Sequence, residues 1–244
     1  MKKENFIYGF HPIMEALDAG KEIDKVLIRK GNEGMQIGPL IRTLKERNIP
    51  YQFVPVEKLN YITRSNHQGI IAFVSQIIYH DIESVIPFVF DHGKVPLVLM
   101  LDNITDVRNF GAIARTAECM GVDALVMPLR GSAQVNEDAV KTSAGALTRI
   151  PVCKVNSLKQ TVGYLKQSGL RIFSASEKAS KNIADTDLSM PLTIIMGSED
   201  EGISETLIQL SDEIIKIPMQ GNIASLNVSV ATGMILYEVQ RQRR

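Results

Sequence analysis

The stretch Ile217-Pro-Met-Gln-Gly-Asn-Ile-Ala-Ser-Leu-Asn-Val-Ser-Val-Ala231 runs from the end of a strand, through a polar loop containing glycine, into a helix of small residues. The strand is expected to end at about Pro218 and the helix to begin near Ser225. Such a loop opens backbone N–H and C=O groups at the carboxyl end of a strand, where open α/β sheets bind ligands. Ser225 also reads simply as a helix cap, Asn227 as a first-turn residue and Gly221 as a turn former.

Outward from this stretch, strands and helices alternate. Strands are expected at Leu97–Leu101, Ala124–Met127, Pro151–Val155, Arg171–Ala175, Leu192–Met196 and Ile214–Ile217. Helices are expected at Phe110–Met120, Glu137–Gly145, Leu158–Gln167, Ser204–Leu210 and Leu226–Arg241. Near-continuous apolar strands between helices predict a parallel sheet covered on both faces. Before it, residues 80–94 carry a proline, a glycine and mixed periodicity, and read as a linker with a short amphipathic piece. Residues 1–79 read as a small α/β domain, with strands at Lys25–Arg29 and Gly69–Ser75 and a helix from Met35 to Arg47. Residues 95–244 form the larger domain.

Composition narrows the class. Of 244 residues, 45% are hydrophobic and 22% charged, as in globular proteins. The 27 basic and 27 acidic residues cancel, so net charge gives no support to nucleic-acid binding and leaves room for a local patch. Residues 1–79 hold eleven basic against eight acidic side chains, a mild positive excess. Cys119 and Cys153 are too few for a disulfide framework and read as small buried hydrophobes. No apolar run reaches membrane-spanning length and the polar start, Met1 to Asn5, leads into no signal-peptide core, so the chain reads as cytoplasmic. His11, His67, His80 and His92 have no metal-ligand spacing with the cysteines, and no metal is expected. Neither a phosphate-binding glycine loop nor a Gly-x-Ser-x-Gly elbow occurs.

Three constellations carry chemistry. In Leu101-Asp-Asn-Ile-Thr-Asp-Val-Arg-Asn-Phe-Gly-Ala-Ile-Ala-Arg-Thr-Ala117, Asn109 reads as a helix cap and Ile113, Ala117 and Met120 as the buried stripe. Arg115 lies about 200° round the helix from Ile113, off the core, where it either serves a site or pairs with Glu118. In Leu192-Thr-Ile-Ile-Met-Gly-Ser-Glu-Asp-Glu-Gly-Ile203 a strand runs into Gly197, which lets a ligand approach the backbone. The acids Glu199, Asp200 and Glu201 alternatively read as solvated at the positive end of the following helix. The third constellation is the opening stretch.

Together, Asn109-Phe-Gly-Ala-Ile-Ala-Arg115, Met196-Gly-Ser-Glu-Asp-Glu-Gly202 and Ile217-Pro-Met219 with Ser225-Leu-Asn-Val-Ser229 resemble the three motifs of the SpoU/TrmH family of RNA 2'-O-methyltransferases, in order. Tyr8-Gly-Phe-His-Pro-Ile13 and Asn66-His-Gln-Gly-Ile70 resemble that family's substrate-binding domain. One departure is Val107-Arg108, where many members have Pro-His. The two-domain form is most similar to bacterial 23S rRNA guanosine-2'-O-methyltransferases.

The resemblance implies a SPOUT-type methyltransferase domain with a trefoil knot, S-adenosylmethionine as methyl donor, and a homodimer. It implies donor contacts at Met196, Gly197, Ile217, Met219 and Leu226, and a catalytic set of Asn109, Arg115, Glu199, Ser225 and Asn227. The family assigns the base role to the arginine matching Arg115. A guanidinium stays protonated, so Arg115 is better suited to bind an RNA phosphate or stabilise the developing alkoxide, with Asn109 and Glu199 orienting it. Ser225 and Asn227 would shape the loop and hold substrate. Lys58, Arg64 and His67 are candidate RNA contacts in the first domain. A transfer RNA enzyme, or a non-catalytic RNA-binding assembly factor, are the alternatives.

Overall fold

The computed structural model describes residues 6–32, 34, 36–223 and 225–244. The chain divides into two compact units, Met1–Ile78 with Val135–Glu137, and Tyr79–Gln134 with Asp138–Arg244.

The first unit contains β1 (Phe6–Tyr8), α1 (Phe10–Asp18), β2 (Ile23–Arg29), α2 (Ile37–Glu46), β3 (Tyr51–Val54), α3 (Val56–Ile62) and β4 (Ile70–Val74). Its sheet has the order β1-β4-β2-β3, with β4 antiparallel to both neighbours and β2 parallel to β3. Ile13 and Leu17 of α1 and Leu40 and Leu44 of α2 pack on Val26, Ile28, Ile70 and Ala72. Successive strand residues face opposite ways, so Leu27 and Ile71 point to the other face, where Leu59 of α3 covers them. The anticipated helix start, Met35, lies outside the described residues, as does the polar stretch Met1 to Asn5 with Lys2 and Lys3. The sequence reading passed over β1, α1, β3 and α3. β1 and β3 are too short to show alternation, and α1 carries Pro12, which a first helical turn tolerates.

In the second unit, α4 (Ile82–Asp91) occupies most of the segment expected to be a linker. Asp81 caps it by accepting from Glu83 N–H, and Ile82 and Ile86 enter the core beside Val98, Met100 and Val126. Pro87 cannot donate to the Glu83 carbonyl, which accepts the Tyr164 hydroxyl instead. Then follow β5 (Leu97–Leu101), α5 (Val107–Cys119), β6 (Ala124–Pro128), α6 (Glu137–Thr142), β7 (Val152–Val155), α7 (Leu158–Gln167), β8 (Arg171–Ala175), β9 (Lys181–Asn182), β10 (Leu192–Met196), α8 (Glu205–Leu210), β11 (Glu213–Lys216) and α9 (Val228–Gln242).

All strands of this sheet are parallel, in the order β7-β6-β5-β10-β8-β11-β9. β5 and β10 are buried throughout, which explains why they are apolar but for Thr193. From β5 the chain steps outward through β6 and β7, then returns to fill the other side. That reversal opens a crevice at the carboxyl ends of the central strands, where parallel sheets bind ligands. No helix among the described residues is long and apolar enough to cross a membrane. Cys153 is buried, and burial pushes its thiol up to about 12, whereas Cys119 is exposed. Cys119 ends α5 two residues beyond Ala117, on the side turned from the core, so it is not the buried hydrophobe expected.

Candidate functional site

The first constellation starts one turn earlier than its sequence suggests. The Asp106 carboxylate accepts the Asn109 backbone N–H at 2.7 Å, so Asp106 is the cap of α5 and Asn109 is its third helical residue. This frees the Asn109 side chain. Its Nδ2 donates to Glu199 Oε1 at 3.2 Å and its Oδ1 accepts from Asn227 Nδ2 at 3.0 Å. Gly111 in the same helix is pressed against α6: an added Cβ would lie 2.7 Å from Thr142 Cβ.

The second constellation is a closed loop. Ser198 and Gly202 exchange backbone hydrogen bonds at 3.2 and 3.0 Å, and Gly202 takes the left-handed φ of 71° that closes the loop. A Cβ on Gly197 would fall 2.1 Å from the Gly202 carbonyl carbon and 2.3 Å from Ile203 N. Glycine is therefore required here by the chain's own backbone, not by room for a ligand. Buried Asp102, at the end of β5, accepts from Ser204 N at 2.7 Å and anchors the loop's exit. Asp200 and Glu201 are exposed as expected of solvated acids. Glu199 is not at the start of α8; its Oε1 accepts from Val228 N at 3.2 Å, the first residue of α9. A carboxylate there meets the positive end of a long helix.

The third constellation supplies the cap of α9. Asn227, rather than Ser225, accepts from Ser229 N at 3.0 Å, and the helix starts at Val228, later than expected. Asn227 Nδ2 also donates to Glu199 Oε1 at 2.5 Å. The orphan N–H groups of Val228 and Ser229 thus find partners in Glu199 and Asn227. One side chain from each constellation, Asn109, Glu199 and Asn227, closes a single network.

Beside it is a cavity of about 450 Å³ at the carboxyl ends of β8, β10 and β11. Met196, Gly197, Glu199, Ile217, Met219, Ser225 and Leu226 line it. The volume suits a nucleoside-sized ligand. Apolar walls from Ala175, Ile203 and Leu226 meet a rim where Glu177, Asp200, Glu201 and Glu205 outnumber Lys178 and Lys216. That balance fits a ligand that is part adenosine and part cation, as a sulfonium methyl donor is.

Arg115 stands apart. It is exposed, does not line the cavity, and makes neither the expected pair with Glu118 nor any other hydrogen bond or ion pair among the described residues. Asn109 and Glu199 bind each other and Asn227 instead, and six residues along α5 set Arg115 about 120° from Asn109 round the helix. In the first unit Lys58 and Arg64 are exposed. His67 is 8% exposed, with Nε2 2.9 Å from Asn60 Oδ1 and Nδ1 accepting from Gly69 N at 3.0 Å. Both ring nitrogens are engaged within the fold, which gives the histidine a structural role. Among the described residues no group of His, Cys, Asp and Glu could hold a metal ion.

The sequence reading missed Asp102, Asp106 and the Ala175–Lys178 turn. Asp106, three residues before Asn109, was a cap signal in plain sight. Ala175–Lys178 follows an anticipated strand at the same sheet edge as the three constellations.

Residues 96–237 match the family model described as the SpoU rRNA Methylase family, and residues 6–80 the model described as RNA 2'-O ribose methyltransferase substrate binding. A Staphylococcus haemolyticus protein, provisionally named a TrmH family tRNA/rRNA methyltransferase, is 35% identical over 237 residues, 97% of this chain and 95% of the relative. The SpoU methyltransferase AviRb from Streptomyces viridochromogenes, solved in complex with the cofactor AdoMet, shares the fold with a TM-score of 0.62 at 23% identity, over 98% of this chain and 90% of that one. The A. aeolicus TrmH/SpoU tRNA modifying enzyme has a TM-score of 0.57 at 35% identity, over 62% of this chain and 76% of its own. With its two matched regions, its parallel sheet and its cavity at the switch of strand order, the chain belongs to the SpoU/TrmH family and is an S-adenosylmethionine-dependent RNA methyltransferase.

Proposed function

We propose that the chain methylates the ribose 2'-hydroxyl of a guanosine in 23S rRNA, acting as a homodimer in the cytoplasm. The observation that carries the reading is the Asn109–Glu199–Asn227 network, which ties the start of α5, the acidic loop and the start of α9 together at the mouth of the cavity. S-adenosylmethionine, when bound, supplies an electrophilic methyl group on a sulfonium. Met196, Gly197, Ile217, Met219 and Leu226 are its proposed contacts. Asn109, Glu199 and Asn227 hold the cavity's edge in one geometry, and such positioning supplies much of the rate of a displacement reaction. Ser225, exposed and on the cavity wall, is the proposed contact for the substrate ribose. Arg115 is the proposed cation for the RNA phosphate or the developing alkoxide.

The dimer reading draws on α9, which turns Val230, Met234 and Tyr237 to solvent on one face. A self-complementary pairing through this stripe would bury them. Thr116 of α5 lies against Gly233, beside that stripe, and the proposed pairing would bring Arg115, the residue before Thr116, towards the seam between copies. The trefoil knot belongs to the same reading.

Transfer RNA is the second reading, favoured by the 35% identity to the A. aeolicus enzyme. That likeness spans 62% of the chain, and the separate first unit favours a larger RNA. Transfer of labelled methyl to fractionated RNA tests both. Label in large-subunit rRNA supports the first, label in transfer RNA alone the second, and no label in any RNA contradicts both and favours a non-catalytic binding role.

A further inference from the structure

The buried His67 makes a corner of the first unit rigid. Its Nε2 meets Asn60 in the last turn of α3, and its Nδ1 holds the turn at Gly69 that leads into β4. Gln68 and Gly69 both take left-handed backbone, with φ of 52° and 78°, and Asn32 Nδ2 donates to the Gln68 carbonyl. Leu59 and Ile62 turn inward from α3 to pack on the sheet. Tyr61, between them, is 93% exposed and makes no hydrogen bond or ring contact among the described residues.

Folding gives no account of this ring, because it buries almost nothing. Lys58 stands one helical turn before it and Arg64 three residues after, both exposed, with Asn66 exposed beyond. Glu57 accompanies Lys58 in the first turn of α3, where the helix dipole favours an acid. An open aromatic face on a fixed helix between two cations matches what a single strand of RNA offers: an unstacked base flanked by two phosphates.

We propose that Tyr61 stacks on an unpaired base of the RNA substrate, with Lys58 and Arg64 on the phosphates either side. This rests on the reading of the chain as acting on RNA and deepens it: the first unit selects a looped or single-stranded segment, since a continuous duplex presents no free base face.

Anisotropy titrations of the full chain with an RNA hairpin carrying a single-stranded loop, and with a blunt duplex of equal length, test it. Tyr61→Ala should weaken loop binding about 10-fold and leave duplex binding unchanged. Tyr61→Phe should bind like the parent, and S-adenosylmethionine affinity should be the same in all three. Unaltered loop binding by Tyr61→Ala would overturn the inference and leave the RNA reading standing. Equal losses on loop and duplex would also overturn it, pointing to recognition of shape. No binding of either RNA by the parent would overturn the inference and the RNA-substrate reading together.

Discussion

Glu199 Oε1 accepts both the side-chain amide of Asn227 and the backbone N–H of Val228, the residue that begins α9. One carboxylate thus joins an acidic loop to a helix start that lies 29 residues further along the chain. Removing it leaves Asn109 Nδ2 and the Val228 N–H without their acceptor and Asn227 Nδ2 with only Asn109 Oδ1. Glu199→Ala should cut methyl transfer about 100-fold through misplacement of the cavity edge. Glu199→Gln, which keeps an acceptor, should lose less. Single-turnover rates with saturating donor check this; equal rates for parent and Glu199→Ala would remove the network from the account.

Two glycines make a matched steric test. A Cβ at Gly197 meets the backbone of Gly202 and Ile203, whereas a Cβ at exposed Gly163 in α7 meets nothing within 4 Å. Gly197→Ala should destabilise the chain by about 3 kcal/mol or more. Gly163→Ala should stabilise it by ~0.5–1 kcal/mol through helix propensity. Urea unfolding of both variants checks the contrast.

Acid stability should depend on Glu238. Hydrogen bonds from Arg241, then Gln242, hold its carboxyl down to about 2 from an ordinary 4.5. A carboxyl with a lowered folded pKa contributes stability that is present above its unfolded value and lost as pH falls toward the folded one. The contribution should therefore fade between about pH 4.5 and about pH 2. Gln242 also bonds the Leu188 N–H and the Thr186 carbonyl, so the loss loosens the end of α9. In Glu238→Gln this part of the acid limb should flatten, as measured by denaturant unfolding across that pH range.

Arg64 and His67 should separate cleanly. Arg64→Ala should weaken RNA binding and reduce its salt slope by about 0.7, one single-strand phosphate's worth. His67→Ala should leave Asn60 Oδ1 and Gly69 N–H unpaired and cost ~2 kcal/mol of stability. Its salt slope should match the parent's. A slope change in His67→Ala equal to that of Arg64→Ala would reinstate the histidine as a phosphate contact.

What the chain's own pattern reveals divides along physical lines. β5, β8 and β10 were legible to the residue: β5 is an uninterrupted apolar run, and β8 and β10 keep apolar stretches around Ser174 and Thr193 between clear turn signals. α7 was equally legible from its 3.6-residue stripe. Helix starts were not: Asp106 and Asn227 outcompeted the neighbouring Asn109 and Ser225 as caps, a choice among polar residues that periodicity does not see. α4 was masked by Pro87, whose cost depends on Tyr164 meeting the freed carbonyl of Glu83, 81 residues away from it in the sequence. The resemblance picked out Asn109, Glu199 and Asn227, but not their wiring. Asn109, Glu199 and Asn227 meet only because β10 inserts between β5 and β8, a strand order with no local signature.

The most direct test is ribose-methyl mapping of RNA from cells lacking the chain, before and after its return. The account predicts one 2'-O-methylguanosine in the large-subunit rRNA that disappears with the chain, returns with it, and fails to return with Arg115→Ala. An rRNA methyl pattern indifferent to the chain, or restored in full by Arg115→Ala, would contradict it.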